Sequence, residues 1–174
     1  MRKKPSKEPA QAGDILLFYN ASGVTRLITW FTHSPFYHVG ICAGDECVVE
    51  ARPSGVVLRD LREANEHDYL VIPTSGSGGA HAVEWAREQV GDNYDVVGIA
   101  VLVLERVFKT LHINYRSPNS RFSCCELVIC AFREAGVELL PGLDASAIAP
   151  ADFAALLPAA ERANRRFRRK RGKV

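Results

Sequence analysis

The stretch RFSCCELVICAF, residues 121–132, places two adjacent cysteines at the predicted start of a helix. Ser123 and Glu126 have the spacing of a capping box, which predicts Ser123 as the N-cap and Glu126 as the third helical residue. Apolar residues then recur at helical spacing until Gly136, where we expect the helix to end. Cys124 is thus expected in the first turn, where the helix dipole and free backbone N–H groups stabilise a thiolate. Either this pair contains a nucleophile, or both thiols simply pack in the core.

A cysteine nucleophile needs a histidine base and a third polar group that orients the histidine. Of the five histidines, only His38 opens an apolar strand, HVGIC. Residues 37–51 have the pattern of a β-hairpin, and a turn centred near Gly44 places Glu50 directly opposite His38. The sequence therefore predicts a site composed of Cys124, His38 and Glu50. The alternatives are a purely structural histidine and a glutamate that faces water on an edge strand.

The remaining periodicity predicts one domain that combines strands with amphipathic helices. We expect this α+β domain to span residues 12–160, between a disordered basic segment at 1–11 and a flexible basic tail at 161–174. The predicted elements are strands at 13–19, 55–61 and 69–73 beside the hairpin, and helices at 22–31, 80–90 and 95–111 beside the helix that begins at the cysteines.

Charge is distributed unevenly along the chain. Its 174 residues are 47% hydrophobic and 24% charged, as expected for a globular protein with a single core. Residues 162–174 contain eight basic and no acidic residues, whereas residues 10–161 contain ten basic and 19 acidic ones. The tail 162–174 is predicted to be solvated, and contact with an anionic membrane or a nucleic acid is the alternative.

The sequence also bears on the compartment. The most apolar run, VVGIAVLVL at 96–104, is nine residues long, whereas a membrane-spanning helix needs about 20. The N-terminal stretch MRKKPSKEPAQAG is basic but lacks the apolar segment of a secretory signal. An odd number of cysteines, five, favours free thiols in a reducing compartment. We therefore expect a cytoplasmic protein, with peripheral membrane association as an alternative.

Several motifs occur in an order that resembles a known family. The motifs GDILLF, SPFYHVGI, VVEA, GDNYD, FSCCELVICAF and APADF follow one another along residues 12–157. This order is similar to that of the permuted papain-like cysteine hydrolases of the NlpC superclan, and lecithin:retinol acyltransferase-like enzymes share it. The resemblance implies a circularly permuted papain-like fold, in which a small antiparallel sheet packs against the cysteine helix. It assigns Cys124 as nucleophile, His38 as base and Glu50 as third member, and it places Cys125 where serine is common.

The same resemblance implies an activity. It predicts a thiol hydrolase or amidase that cleaves a peptide-like amide bond, as in cell-wall peptides, through an acyl-enzyme. Two other functions stay open: a lipid-directed acyl hydrolase or acyltransferase acting on a lipid amide or ester, and a non-catalytic binding protein on the same fold. We expect no cofactor and no obligate partner. A zinc site is not predicted, because the five cysteines contain no Cys-x-x-Cys pair.

Overall fold

A five-stranded antiparallel sheet forms the centre of the protein. The structure is a computed structural model that describes residues 10–20, 26, 29–30, 33–62, 68–74, 76, 78–107 and 121–158. The strands of the sheet are β1 (Ile15–Tyr19), β2 (Phe36–Gly44), β3 (Cys47–Arg52), β4 (Gly55–Asp60) and β5 (Tyr69–Ile72). Their order across the sheet is β4-β3-β2-β1-β5, so the predicted hairpin lies at its centre.

The second half of the chain supplies most of the helices. A separate pair of short parallel strands leads into the last long helix, and two 3-10 helices follow it. The predicted α+β class is therefore confirmed. The helices are α1 (Gly79–Glu88), α2 (Val96–Val107) and α3 (Cys124–Glu134), the parallel strands are β6 (Asn93–Tyr94) and β7 (Arg121–Phe122), and the 3-10 helices are Ala145–Ala147 and Asp152–Leu156.

Most of the predicted elements have a counterpart in the structure. The three predicted strands correspond to β1, β4 and β5, the hairpin to β2 and β3, and three of the predicted helices to α1, α2 and α3. Outside the described residues lie most of the helix predicted at 22–31, the end of the helix predicted at 95–111, and nearly all of the basic ends 1–11 and 161–174.

Strand β1 is buried on both of its faces. Ile15 and Leu17 of β1 belong to the main core under the helices, whereas Leu16 and Phe18 face a small cluster on the other side. This explains why the sequence of β1 is continuously apolar rather than alternating. The small cluster is completed by Cys42, Val48 and Leu61.

The β2–β3 hairpin turns later than predicted. Asp45 and Glu46 form the turn with φ angles of 51° and 59°, and Gly44 pairs with Cys47. Positive φ at both central residues is typical of the two-residue turns that match the twist of a hairpin, and aspartate tolerates this conformation better than most residues. The predicted turn centre at Gly44 is therefore wrong. The pairing then shifts between Cys42 and Gly44.

The predicted register within the hairpin is also wrong. Ile41 pairs with Val49, so continuation of the antiparallel ladder places Gly40, rather than His38, opposite Glu50. In agreement, a Cβ atom added to Gly40 would lie 3.2 Å from Cβ of Glu50. His38 is thus the diagonal neighbour of Glu50 across the two strands.

The helix α3 packs across the sheet against β2 and α1. Its apolar stripe is buried in the main core, where Leu127, Val128, Ala131 and Phe132 are all inaccessible to solvent. This packing brings the N-terminus of α3 beside β2, the strand that carries His38.

The helix α2 exposes part of its apolar surface. Val96, Val97 and Leu104 are all solvent-exposed. With twelve residues, α2 is the longest described helix, and none in the described part of the chain has the length and hydropathy needed to cross a membrane.

Candidate active site

Cys124 is held at the start of α3 by the predicted capping box, which is confirmed. The Ser123 hydroxyl accepts a hydrogen bond from the Glu126 N–H at 3.2 Å. In return, Oε2 of Glu126 accepts a hydrogen bond from the Ser123 N–H at 2.8 Å. Because these two bonds fix the first turn of the helix, the local sequence sets the direction in which the Cys124 side chain projects.

His38 on β2 connects Cys124 with Glu50. Its Nε2 atom lies 2.7 Å from Oε2 of Glu50. A carboxylate only accepts hydrogen bonds, so Nε2 carries a proton and donates it. This leaves Nδ1 as the ring nitrogen that can interact with Cys124, and His38 and Cys124 shift each other's pKa. The rings of Phe18 and Tyr37 flank the imidazole, with centroid distances of 5.4 Å and 6.3 Å. The structure thus brings the three predicted site residues together.

Glu50 is fully buried, and three cationic side chains compensate for its charge. Oε2 contacts His38, whereas Oε1 accepts hydrogen bonds from Nε of Arg59 at 2.5 Å and from Nη1 of Arg52 at 3.1 Å. Burial alone would raise the pKa of Glu50, but hydrogen bonds and charges of His38 and Arg59 lower it to about 2. The alternative in which Glu50 faces water is therefore wrong, and Glu50 is ionised at neutral pH.

Neither arginine is among the residues that the sequence singles out. Arg52 is two residues after Glu50 on β3, so both side chains lie on the same face of the strand. Arg59 pairs with Val48, which places it diagonally across from Glu50 on the β3–β4 hairpin. The register of that hairpin, which turns at the PS dipeptide between Arg52 and Gly55, is the signal that identifies both arginines.

The electrostatic environment favours a thiolate–imidazolium pair. Burial disfavours a charged imidazole, but the hydrogen bonds and charges of Cys124 and Glu50 raise the pKa of His38 to about 10. The pKa of Cys124 is well below that of an ordinary thiol, and the largest cause is a hydrogen bond with Cys125. Burial opposes this shift, whereas His38 and the backbone N–H of Val39 add to it. Cys124 and His38 therefore stabilise each other's charged forms.

Cys125 has the opposite behaviour. Burial, and then the neighbouring Cys124, raise its pKa well above that of a free thiol. The two sulfur atoms are 4.0 Å apart. Since Cys125 stays protonated, it is the donor in this contact and Cys124 is the acceptor.

Tyr94 is a residue of the site that the sequence does not identify. β6 pairs Tyr94 with Phe122, two residues before Cys124. Burial and the negative charge of Cys124 raise the pKa of Tyr94, and Arg52 opposes the shift. The hydroxyl is therefore protonated and lies close enough to the sulfur atoms to sense their charge. A strand of two residues is too short to produce a periodic pattern, so no signal besides its place in GDNYD marks this tyrosine.

The described residues offer no obvious metal site. No group of three or more histidine, cysteine, aspartate or glutamate side chains in this part of the chain is arranged to hold a metal ion. All five cysteines are free thiols.

The sequence matches no protein-family model and no curated protein. The function is therefore inferred from the site itself.

Gly40 provides the space through which Glu50 reaches His38. A Cβ atom at this position would lie 2.6 Å from Cγ2 of Val48, closer than any real contact, and 3.2 Å from Cβ of Glu50. Glycine opposite Glu50 thus leaves the glutamate side chain free to extend diagonally toward the neighbouring strand.

We expect Gly40→Ala to destabilise the protein by about 1–3 kcal/mol, the usual cost of overpacking a core, and to weaken the hydrogen bond between His38 and Glu50. Urea unfolding measures the first effect, and NMR titration of His38 measures the second as a lower pKa. Val48→Ala removes the clashing methyl group, so the double substitution is expected to cost less than the sum of the single ones. Strictly additive costs would show that the added methyl group is accommodated elsewhere.

Proposed function

We propose that the protein is a cysteine hydrolase that cleaves a peptide-like amide bond, with Cys124 as nucleophile, His38 as acid and base, and Glu50 as the orienting carboxylate. The observation that carries this proposal is the hydrogen bond between His38 and the buried Glu50, together with the mutual influence of His38 and Cys124 on their pKa values. Such an arrangement activates the nucleophile and fixes the tautomer of the base, which are the two requirements of cysteine catalysis. A histidine with a purely structural role needs neither.

The chemistry follows from the protonation states. The Cys124 thiolate attacks the carbonyl carbon, and the resulting oxyanion accepts a hydrogen bond from the backbone N–H of Cys124 in the first turn of α3. His38 donates its Nδ1 proton to the leaving nitrogen, which departs as an amine and leaves a thioester on Cys124. His38, now neutral, takes a proton from water, whose oxygen attacks the thioester. The acid product leaves, and the thiolate–imidazolium pair is restored.

The order of the site residues along the chain supports the fold that accompanies this proposal. The histidine strand β2 precedes the cysteine helix α3, and the antiparallel sheet packs against that helix. This is the arrangement of the circularly permuted papain-like fold that the motif order resembles. We therefore propose that fold for the chain.

A lipid-directed acyl hydrolase or acyltransferase is the second candidate, and one observation favours it. The exposed apolar side chains of Val96, Val97 and Leu104 lie on α2, which begins two residues after Tyr94. An exposed apolar surface is suited to binding an acyl chain. The basic tail 162–174, the other feature suited to a membrane, lies outside the described residues.

Trapping of the acyl-enzyme tests the proposed function. After incubation with a 4-nitrophenyl ester of an N-acetylated dipeptide and an acid quench, mass spectrometry is expected to locate the acyl group on Cys124. Cys125→Ala should retain the adduct, whereas Cys124→Ala should lose it. Absence of any thioester in the wild-type protein, with this ester and with a decanoyl ester of the same leaving group, would leave only the non-catalytic interpretation.

The same assay distinguishes a peptide-like substrate from a lipid-like one. The dipeptide ester is compared with a decanoyl ester of the same leaving group, in the wild-type protein and in Val97→Ser. Faster acylation by the decanoyl ester, together with its selective loss in Val97→Ser, would favour the lipid-directed enzyme. A preference for the dipeptide ester that Val97→Ser leaves unchanged would favour the peptidase.

A further inference from the structure

Arg52 is more exposed than its role as a partner of Glu50 requires. Arg52 and Arg59 donate to the same oxygen of Glu50, but the Arg59 side chain is only 18% exposed, whereas that of Arg52 is 38% exposed. The hydrogen bond from Arg59 is also the shorter one, 2.5 Å against 3.1 Å. Since Glu50 also accepts a hydrogen bond from His38, its charge is compensated without Arg52.

The guanidinium of Arg52 has donors to spare. A guanidinium carries five N–H donors in a planar fork, and the fork matches a carboxylate in geometry. In the described part of the structure, Arg52 donates from Nη1 to Glu50, and Nε and Nη2 have no acceptor there. With more than a third of the side chain exposed, these donors are available to a ligand from solvent.

Arg52 also lies next to the reacting groups. Continuation of the β2–β3 ladder from Ile41 and Val49 places Arg52 directly opposite His38. The charge of Arg52 also lowers the pKa of the Tyr94 hydroxyl, whereas that of Cys124 raises it. Arg52 and His38 contact the two oxygens of the same Glu50 carboxylate, so Arg52 lies beside the proposed base.

We propose that Arg52 binds a carboxylate of the substrate close to the scissile bond, so that the enzyme selects peptide-like substrates with a free carboxylate at that position. This inference rests on the proposed hydrolase function. It makes Arg52 a specificity residue, whereas Arg59 only holds Glu50.

A carboxylate fits this position better than a phosphate. One guanidinium supplies one positive charge and two parallel N–H groups, which match a singly charged planar carboxylate. A phosphate monoester carries close to two negative charges at neutral pH. The second charge would be repelled by the Glu50 carboxylate, because Oε1 of Glu50 already lies 3.1 Å from Nη1 of Arg52.

Alkylation of Cys124 provides a test that needs no substrate. Iodoacetate and iodoacetamide are nearly identical in size, but only iodoacetate carries a carboxylate. The measured quantity is the ratio of their alkylation rates at Cys124 in the wild-type protein, in Arg52→Gln and in Arg59→Gln. Both substitutions remove one partner from the same oxygen of Glu50, so their effects through His38 appear with both reagents and cancel in the ratio.

We expect Arg52→Gln to lower the ratio of iodoacetate to iodoacetamide rates by about tenfold, as for the loss of one charged hydrogen bond. Arg59→Gln should leave the ratio nearly unchanged. Arg52→Lys retains the charge without the fork, so an intermediate ratio is expected, and this variant decides the question if Arg59→Gln does not fold. Equal ratios in the wild-type protein, Arg52→Lys and Arg52→Gln would overturn the assignment of Arg52.

Turnover gives an independent measurement. Two 4-nitrophenyl esters that differ only in a terminal carboxylate or carboxamide are compared, and Arg52→Gln is expected to raise KM for the carboxylate ester alone. An equal change in kcat for both esters would show that Arg52 acts only through Glu50 and would refute its role in binding. If neither ester acylates Cys124 in the wild-type protein, the proposed function fails, whereas the alkylation ratio still decides whether Arg52 binds a carboxylate.

Discussion

Replacing His38 with alanine is expected to lower kcat/KM by about 10²–10⁴-fold, the usual contribution of general acid–base assistance. The substitution removes the group that protonates the leaving nitrogen, and it removes the cation that stabilises the Cys124 thiolate. The fold should persist, because Glu50 retains hydrogen bonds from Arg52 and Arg59 and its buried charge stays compensated. The activated dipeptide ester provides the rate, and circular dichroism with urea unfolding provides the check on folding.

Glu50→Gln isolates the role of Glu50 in orienting His38. We expect it to lower kcat/KM by a smaller factor than His38→Ala does. Glutamine still accepts the hydrogen bond from Nε2 of His38, but it supplies no negative charge to the imidazolium. Unlike His38→Ala, this substitution leaves Arg59 and Arg52 without their anion, so we expect a clear loss of stability. Catalytic rates therefore have to be compared at a temperature at which all variants are folded.

The stabilising role of Glu50 has its own pH dependence. Because its pKa is about 2 in the folded protein, below the ordinary value of 4.5, Glu50 contributes stability that is fully present above about pH 4.5. That contribution is lost as the pH falls toward 2.

A variant of His38 with turnover close to that of the wild type would show that another group is the base, whatever the stability of Glu50→Gln.

The parts of the site that the sequence predicts correctly are those encoded locally. The capping box of Ser123 and Glu126 requires only three residues of spacing, and it alone determines that Cys124 is in the first turn of α3. The continuous apolar run of β1 and the helical stripe after Cys124 are equally local. Backbone conformation within a few residues is therefore sufficient to place Cys124 at the start of α3.

The register of the β2–β3 hairpin could not be predicted from such local sequence patterns. Positive φ angles at Asp45 and Glu46 moved the turn away from Gly44, and the irregularity before Gly44 shifted the ladder again. The contact between His38 and Glu50 nevertheless forms, because a glutamate side chain is long enough to reach the diagonal neighbour once glycine occupies position 40. The predicted pair was thus found through a register that is wrong.

Two of the residues that the sequence missed depend on a second chain segment. Arg59 reaches Glu50 through the β3–β4 register, and the parallel pairing of β6 with β7 places Tyr94 beside Phe122, two residues before Cys124. Neither residue is marked by a periodic pattern in the sequence. Arg59 is a charged residue in a strand of ordinary composition, and Tyr94 lies in a strand of only two residues. Their contribution becomes visible only when the strands are placed side by side.

Iodoacetamide is expected to label Cys124 at nearly the same rate from pH 6 to pH 8, whereas labelling of an ordinary thiol rises about tenfold per pH unit over this range. We expect this difference because the hydrogen bond of Cys125 and the charge of His38 lower the pKa of Cys124 well below that of an ordinary thiol. A free thiol with a pKa of about 8.5 is only about 0.3% ionised at pH 6. The lower intrinsic nucleophilicity of a low-pKa thiolate offsets part of this advantage, leaving a factor on the order of ten or more at pH 6.

The other four cysteines serve as internal controls for this measurement. Burial raises the pKa values of Cys42, Cys125 and Cys130, so these thiols should be slow and strongly pH-dependent. His38→Ala is expected to convert the flat profile of Cys124 into that of an ordinary thiol, and Cys125→Ala should shift it in the same direction by removing a hydrogen bond to the thiolate.

Three outcomes would contradict the thiolate–imidazolium pair. A tenfold rise per pH unit at Cys124 would show that the pair rests as a neutral thiol and imidazole. Preferential labelling of Cys125 would show that the reactive thiol is one residue further along α3. The side chain of Cys125 projects from the helix in a different direction from that of Cys124. Uniformly slow labelling of all five cysteines would favour the interpretation in which the two adjacent thiols only pack in the core.

A flat pH profile that disappears in His38→Ala would show that His38 stabilises the Cys124 thiolate. Because Nε2 of His38 already donates to Glu50, the stabilising group would be the other ring nitrogen, Nδ1.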